Sequence, residues 1–500
     1  MSLENNQRRT SRTNLGDSIR SLFGRGERGL NTPVSAGGDS DIEAMDQIRV
    51  IPDQLLQSAI DGTVAEAREV VGIEKIRSEV GYTPQEAVKS LGSALDRVNR
   101  QVVGREELLT QTLYALLTRE HQLIFSRTGV AKSLYAKAIF GQFEGSNTFE
   151  ILMTKGTPEE ALVGSVRIDE LKEGNIVHNT EGSIVDADFA FLDEIFDGND
   201  VALRALLGIL NEREFRKGKQ RQGVKLHTAI ATTNFLRASD LTEAVIDRFA
   251  FKANLLPDFD SYQLLRVDEA YSKNLGRVAP FQEGQRVPLA YLQFLSQIVE
   301  GKVPGQERRI APHILFIKNA VIAEYVRVIN QARQADSKPD LYLSPRTIAK
   351  SREVLNASAL LRNSSEVGGD DLDSLKYTVC SIGDSESEDA FKKAIRTVTS
   401  ALRRRDLEIV DIIMEAHILL EGILEQVTSG AYISPSFAER AAEFFGIGLG
   451  ELTFGSLKIP INKLHPNHPL AQQLKDSFIQ RVNTEQRKAA NRGKQSPTIF

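Results

Sequence analysis

Five hundred residues, 41% of them apolar and 26% charged, are enough for about three domains with cores of their own. The formal net charge of −5 gives no overall case for a nucleic-acid partner, and a single cysteine, Cys380, excludes an intrachain disulfide. There is no run of about 18 apolar residues to span a membrane, and the opening MSLENNQRRTSRTN lacks the apolar stretch of a signal peptide, so a cytoplasmic protein is expected.

Residues 1–44 are rich in Ser, Arg, Gly and Asn and read as a disordered tail, because they cannot bury enough surface to offset their ordering entropy. Residues 45–84 hold short amphipathic pieces, read as a short helical segment. From Pro84 the pattern changes. Ala87, Val88, Leu91, Leu95, Val98 and Val102 have helical spacing and predict a helix over Glu86–Val103, broken by Gly104-Arg105. Glu106–Leu117 reads as a second helix. Short apolar runs follow: Leu123–Phe125, Phe149–Met153, Asp188–Leu192, Thr228–Ala231 and Ala250–Leu255. Five strands alternating with helices predict an α/β core over 85–256, a parallel sheet flanked by helices, whose ligands sit at the carboxyl ends of the strands. Pro257 opens a mostly helical stretch, 257–400, with helices expected at Tyr262–Tyr271, Leu289–Ile298, His313–Gln331, Ile348–Leu361 and Asp371–Val379. Cys380 follows the apolar spacing of the last of these and reads as a buried structural thiol. Residues 401–482 form a helical and mixed extension that includes an amphipathic helix over Leu407–Val427, and 483–500 a polar, basic tail.

The chemistry concentrates at the strand ends. LIFSRTGVAKS, at Leu123–Ser133, followed by LYAKAIF, has the strand–loop–helix layout of a phosphate-binding loop. Backbone N–H groups and a helix N-terminus would face phosphate, Lys132 would add a mobile charge, and the Ser133 hydroxyl could ligate Mg²⁺. The match is partial: Ser126 and Ala131 stand where the pattern has glycine, and an ordinary strand–turn–helix is the plain alternative. Asp193-Glu194 closes the strand DFAFL, the shape in which Asp holds Mg²⁺ and Glu polarises water, or else a strand-ending acidic turn. Asn234 closes TAIATTN, where an amide can orient water or simply form a turn. Arg248 falls at a helix end. Arg346 opens a helix after Pro345, where the dipole disfavours a cation, so a phosphate ligand would account for it; a surface arginine is the alternative for both.

Taken together with VVGREELL, GVAKS, MTKGTPEEALVGSV, LKEGNIVHNTEGSI, ADFAFLDEIF, ALLGILNEREFRKG, ATTN, EAVIDRF and LSPRTIAKS, the chain resembles the MoxR branch of AAA+ ATPases, within it the RavA-like group, over roughly residues 85–400. The resemblance implies a AAA+ core with a helical lid, and an ATP and Mg²⁺ site. Val103 and Gly104 would line the adenine pocket, and Ser126, Arg127, Thr128, Gly129, Val130, Ala131, Lys132, Ser133 and Leu134 the phosphate loop. Ser133 and Asp193 would serve Mg²⁺, Glu194 would be the catalytic base, Asn234 sensor 1, Arg248 an arginine finger acting on a neighbouring subunit, and Arg346 sensor 2. It also implies a homo-hexamer, chaperone-like remodelling or metal insertion, and a partner with a von Willebrand factor A (vWA) domain. Gly156–Ile184 corresponds to an insert after the second strand. Glu214–Leu226 reads as a basic hairpin with Gly218 or Gly223 at its turn. Ser126-Arg127-Thr128 departs from the family's Gly-Pro-Pro. It leaves open a nucleotide-binding scaffold with weak turnover, and the hairpin leaves open a DNA-acting motor.

Overall fold

The computed structural model describes residues 81–422, apart from 128, 236–239, 256–258, 280, 282–283, 337, 403–406, 414, 417 and 420–421, together with Thr484. Outside the described residues lie Thr128, the expected N-terminal tail with most of the 45–84 segment, most of the second half of Leu407–Val427, and the C-terminal mixed unit and tail. The described residues fall into two compact units. The larger holds 81–309 and 328–393, and the smaller holds 310–327 and the described part of 394–422.

In the larger unit the five expected strands are present: β1 (Gln122–Ser126), β2 (Thr148–Leu152), β3 (Phe189–Asp193), β4 (Thr228–Thr233) and β5 (Phe251–Leu255). A sixth, β6 (Ser381–Ile382), escapes sequence reading because two residues show no period. All pair in parallel, in the order β6-β5-β1-β4-β3-β2. β1 lies between β4 and β5, with Ile124 opposite both Thr232 and Ala253. The chain therefore leaves β1 for the far edge, returns through β3 and β4, and crosses to the other side for β5. That reversal opens a crevice at the carboxyl end of β1.

Alternating strand residues feed two cores. Ile124, Phe189, Phe191, Ile230 and Phe251 pack with α1 (Pro84–Asn99), α2 (Glu106–Leu117), α3 (Lys132–Phe140) and α7 (Leu289–Val299). Leu123, Ala190, Leu192, Ala229 and Ala231 pack on the other face with α4 (Asp200–Glu212) and with Val245 and Phe249, at and just beyond α5 (Asp240–Ile246). α1 starts as a capping box: the Thr83 hydroxyl accepts from Glu86 N–H at 3.2 Å, and Glu86 Oε2 accepts from Thr83 N–H at 2.8 Å. It ends four residues before the expected Val103, where Val102 and Val103 leave the helical line to be buried.

α6 (Ser261–Asn274), α8 (Pro312–Ala335), α9 (Pro345–Leu361) and α10 (Ser385–Ala401) follow. The expected helix Asp371–Val379 is instead a 3₁₀ turn, Gly369–Leu375, leading into a single α turn. The buried Asp371 carboxylate accepts from Gly368 N–H, Ser358 Oγ and Arg362 Nε, and this tightens the segment. Cys380 is buried, as expected.

The segment between β2 and β3 and the hairpin between α4 and β4 form one layer. The hairpin pairs Glu214–Lys217 with Gln220–Gly223 and turns at Gly218, whose φ is +57°. His178 N–H donates to Gln220 Oε1 at 2.8 Å, Thr180 Oγ1 donates to Gln222 Oε1 at 3.1 Å, and Lys217 Nζ lies 2.5 Å from Glu159 Oε2.

Candidate active site

β1 ends at Ser126, and α3 opens on Lys132. Between them Gly129 has φ +84° and Ala131, the N-cap of α3, has φ +60°. An alanine in the left-handed region costs on the order of 1 kcal/mol, so the loop holds a strained shape that aims the first amides of α3 outward. Such amides, together with the helix dipole, suit an anion.

The Lys132 side chain crosses to the ends of β3 and β4. Its Nζ is 3.0 Å from Glu194 Oε1 and donates to Asn234 Oδ1 at 2.8 Å. Asn234 N–H donates to Glu194 Oε2 at 3.0 Å, and its Nδ2 donates to Glu194 Oε1. Side chains from the head of α3 and from the ends of β3 and β4 thus form a closed triangle. The Lys132 and Glu194 side chains are only 8% and 14% exposed, so each charge depends on the other for solvation.

Two features fix Glu194. It turns at φ +52° off the end of β3, where the buried Ile195 and Phe196 pin the following turn. Its N–H also donates to Thr232 Oγ1 at 3.4 Å, while the Thr232 hydroxyl donates to Asp193 Oδ1. Thr232 holds both acidic residues in place, and sequence reasoning missed it. The available signal was a hydroxyl inside an otherwise apolar central strand.

Ser133 follows Lys132 with its side chain exposed, as does Arg127, while Val130 and Leu134 are half-buried. Ser126 is buried, and its Oγ finds no hydrogen-bond partner among the described residues. Just before α2, Gly104 has φ +67°, and a Cβ there would meet Gln263 Nε2 and Phe259 Cε1 at 3.2 Å. The Arg105 guanidinium lies over the Phe259 ring, 4.8 Å from its centroid, and burial pulls its pKa below the usual value. Phe259 and Gln263, which lead into α6 and were not singled out in the sequence, therefore pack beside Gly104.

The two arginines are not part of the triangle. Arg248 Nη1 and Arg346 Nη1 each lie 3.3 Å from Asp247 Oδ2. At the N-terminus of α9, Arg346 thus has the Asp247 carboxylate as a partner.

Residues 89–270 match the family model described as the MoxR domain in the MoxR-vWA-beta-propeller ternary systems. The chain is 33% identical over 190 residues to the uncharacterized protein MJ0079 of Methanocaldococcus jannaschii, covering 37% of this chain and 50% of that one. It is 31% identical over 172 residues to Chaperone MoxR1 of Mycobacterium tuberculosis, covering 34% of this chain and 45% of that one. The matches thus span about half the length of each of these relatives. A crystal structure of an inferred ATPase from Cytophaga hutchinsonii superposes with a TM-score of 0.50 at 19% identity, over 66% of this chain and 99% of that one. That likeness is one of fold: an α/β parallel sheet flanked by helices. Over residues 89–270 the sequence is thus similar to a MoxR domain.

Proposed function

We propose, with a MoxR-type domain over residues 89–270 as premise, that the chain is an Mg²⁺-dependent, ring-forming ATPase of chaperone-like action. The observation that carries the reading is the Lys132–Glu194–Asn234 triangle at the mouth of the β1–α3 loop. In an ATPase of this kind the lysine serves phosphate, the glutamate activates water and the amide positions it. Here the lysine neutralises the glutamate. Binding of a triphosphate would draw Lys132 toward phosphate oxygens and leave Glu194 free to accept a proton.

Bound Mg²⁺ would supply positive charge to the phosphates. The donor set fits such an ion: Ser133 offers an exposed hydroxyl, and Asp193 keeps Oδ2 beyond the oxygen that Thr232 occupies. Among the described residues there is no group of three His, Cys, Asp or Glu that could hold a metal unaided. The remaining ligands would be nucleotide oxygens and water. Val103 and Gly104, with Phe259 and Gln263 beside them, would receive the base.

In this reading residues 85–256 are the nucleotide-binding core and 257–400 the lid. Arg248 serves a neighbour's site, which requires a closed ring, taken as a hexamer, and a vWA protein is the partner. The family model, whose description names vWA and β-propeller components, supports that partner. Metal insertion or complex assembly is the class of work proposed. No helix among the described residues is long and apolar enough to cross a membrane.

The weak-turnover scaffold remains the second reading, because Ser126 leaves a buried hydroxyl without a partner at the root of the loop. The DNA-motor reading loses ground. Arg216, Lys217 and Lys225 of the hairpin each sit on a carboxylate, of Glu214, Glu159 and Asp186. Steady-state phosphate release by the full chain and by Glu194→Gln decides between enzyme and scaffold. If the two rates are equal, the enzyme reading is lost.

A further inference from the structure

Asp247 sits just beyond α5, on a turn whose main chain is closed by hydrogen bonds from Asp247 N–H to Glu243 O and from Arg248 N–H to Val245 O, both 3.0 Å. The fully buried Phe249 anchors that turn in the core. Both neighbouring guanidinium groups reach one oxygen, Asp247 Oδ2, with one nitrogen each at 3.3 Å. A committed charge-assisted bond of this type is about 2.7–2.9 Å long. Two guanidinium cations drawn to the same oxygen repel each other, and both contacts are longer than a committed bond. Arg248 Nε is buried without a hydrogen-bond partner among the described residues, so this guanidinium is incompletely satisfied where it rests. Lys252 on β5 senses the same carboxylate, whose charge partly offsets the burial that pulls the lysine down to about 8. One carboxylate thus serves three cations.

We infer that Asp247 is a positioning residue, a shared counter-ion that makes Arg346 and Arg248 compete, so that withdrawal of either arginine strengthens the hold on the other. The inference rests on the proposed ATPase function, in which Arg346 turns to the subunit's own nucleotide and Arg248 to a neighbour's. While Arg346 is docked on Asp247 it is unavailable to the γ-phosphate. Once it leaves, Arg248 gains the whole carboxylate and its own release becomes harder. A subunit that has engaged its own ATP would then hold back its finger, which favours turnover in sequence around a ring over firing in unison.

The test is titration of the full chain with a fluorescent ATPγS analogue and with ADP, at concentrations low enough to prevent assembly, with melting temperatures recorded for each variant. Asp247→Asn should tighten ATPγS binding about fivefold, the upper worth of a solvent-exposed ion pair, and should affect ADP less. Asp247→Asn/Arg346→Gln should lose that gain. Arg248→Gln, which gives Arg346 sole use of the carboxylate, should weaken binding at the subunit's own site by about threefold. Asp247→Asn/Arg248→Gln should bind as Asp247→Asn does. A folded Asp247→Asn with unchanged ATPγS affinity, or a gain that survives Arg346→Gln, overturns the inference while leaving the ATPase reading intact. Should Asp247→Asn fail to fold, the Arg248→Gln arm decides alone: unchanged or tighter binding overturns the inference. No ATPγS binding by the unaltered chain overturns both readings.

Discussion

Lys132 Nζ lies 3.0 Å from Glu194 Oε1, so the cation at the head of α3 and the anion past the end of β3 neutralise each other across the crevice. The pair is nearly buried, and Asn234 bridges it from the end of β4. In the proposed mechanism this is a resting arrangement: the proton acceptor is occupied until phosphate competes for the lysine. The same contact therefore bears on turnover, nucleotide binding and stability, and the three can be measured separately.

For turnover, Glu194→Gln keeps the size of the side chain and its ability to accept from Asn234 N–H, but removes the base. A positioned general base contributes about 10²–10⁴-fold. The expected result is loss of phosphate release by about a hundredfold or more, with ATP affinity equal to or tighter than that of the parent, because Lys132 no longer has an anionic competitor. Phosphate-release kinetics beside equilibrium nucleotide titration check both halves.

For stability, Lys132→Ala leaves the Glu194 carboxylate nearly buried with only the Asn234 amides to solvate it. Breaking one side of a buried pair costs about 3–5 kcal/mol, and the retained amide bonds put the expected loss near the lower end. Lys132→Ala should abolish ATP binding and lower the urea midpoint. Lys132→Ala/Glu194→Gln should recover much of the stability and none of the binding.

A separate consequence lies at the amino end of the sheet. His121 receives the Ala229 N–H at Nδ1, 3.0 Å away, and His227 contacts Ser296 Oγ at 3.2 Å. Burial, with the positive charges of Arg213 and Arg119 nearby, holds both rings well below the usual imidazole range. Arg213 is itself pulled down to about 10, chiefly by burial. Both histidines stay neutral in the folded state, so below about pH 6.5 the unfolded chain binds protons that the folded chain refuses. Stability is then intact at pH 7.5 and falls with decreasing pH, by up to about 1.4 kcal/mol per pH unit for each ring. Urea unfolding at pH 7.5 and pH 5.5 measures the loss, and a folded His227→Gln should show a shallower slope.

The sequence made the strands and Lys132, Glu194 and Asn234 legible because each sits where a periodic element ends, and an end is visible in one dimension. Glu106–Leu117 was readable to the residue, since its apolar spacing is regular and a glycine precedes it. Contacts across the fold were not. Asp247 carries no mark in the sequence, and only the folding of α9 beside it shows Arg346 using it. Phe259 and Gln263 lie far along the chain from Gly104, and nothing local marks them as its neighbours. The two-residue β6 has no pattern at all. It depends on Gly383, at φ +80°, where a Cβ would strike the Asn254 carbonyl.

Thr232 is the sharpest case of a side chain of the candidate site that the sequence hides. It is fully buried in β4, and its one oxygen both donates to Asp193 Oδ1 and accepts the Glu194 N–H. Thr232→Val preserves shape and β-propensity while removing both bonds. An unsatisfied buried group costs about 1–3 kcal/mol, so a modest drop in the urea midpoint is expected. The larger effect should fall on rate. Without the hydroxyl, Asp193 and Glu194 lose the tie that fixes their spacing, and a displacement of about 1 Å can cost up to a hundredfold. The expected outcome is kcat reduced at least tenfold with ATPγS affinity within about threefold of the parent. Thr232→Ser, which restores the hydroxyl, should recover most of the rate. A Thr232→Val variant that turns over ATP like the parent would show that Asp193 and Glu194 need no support from β4.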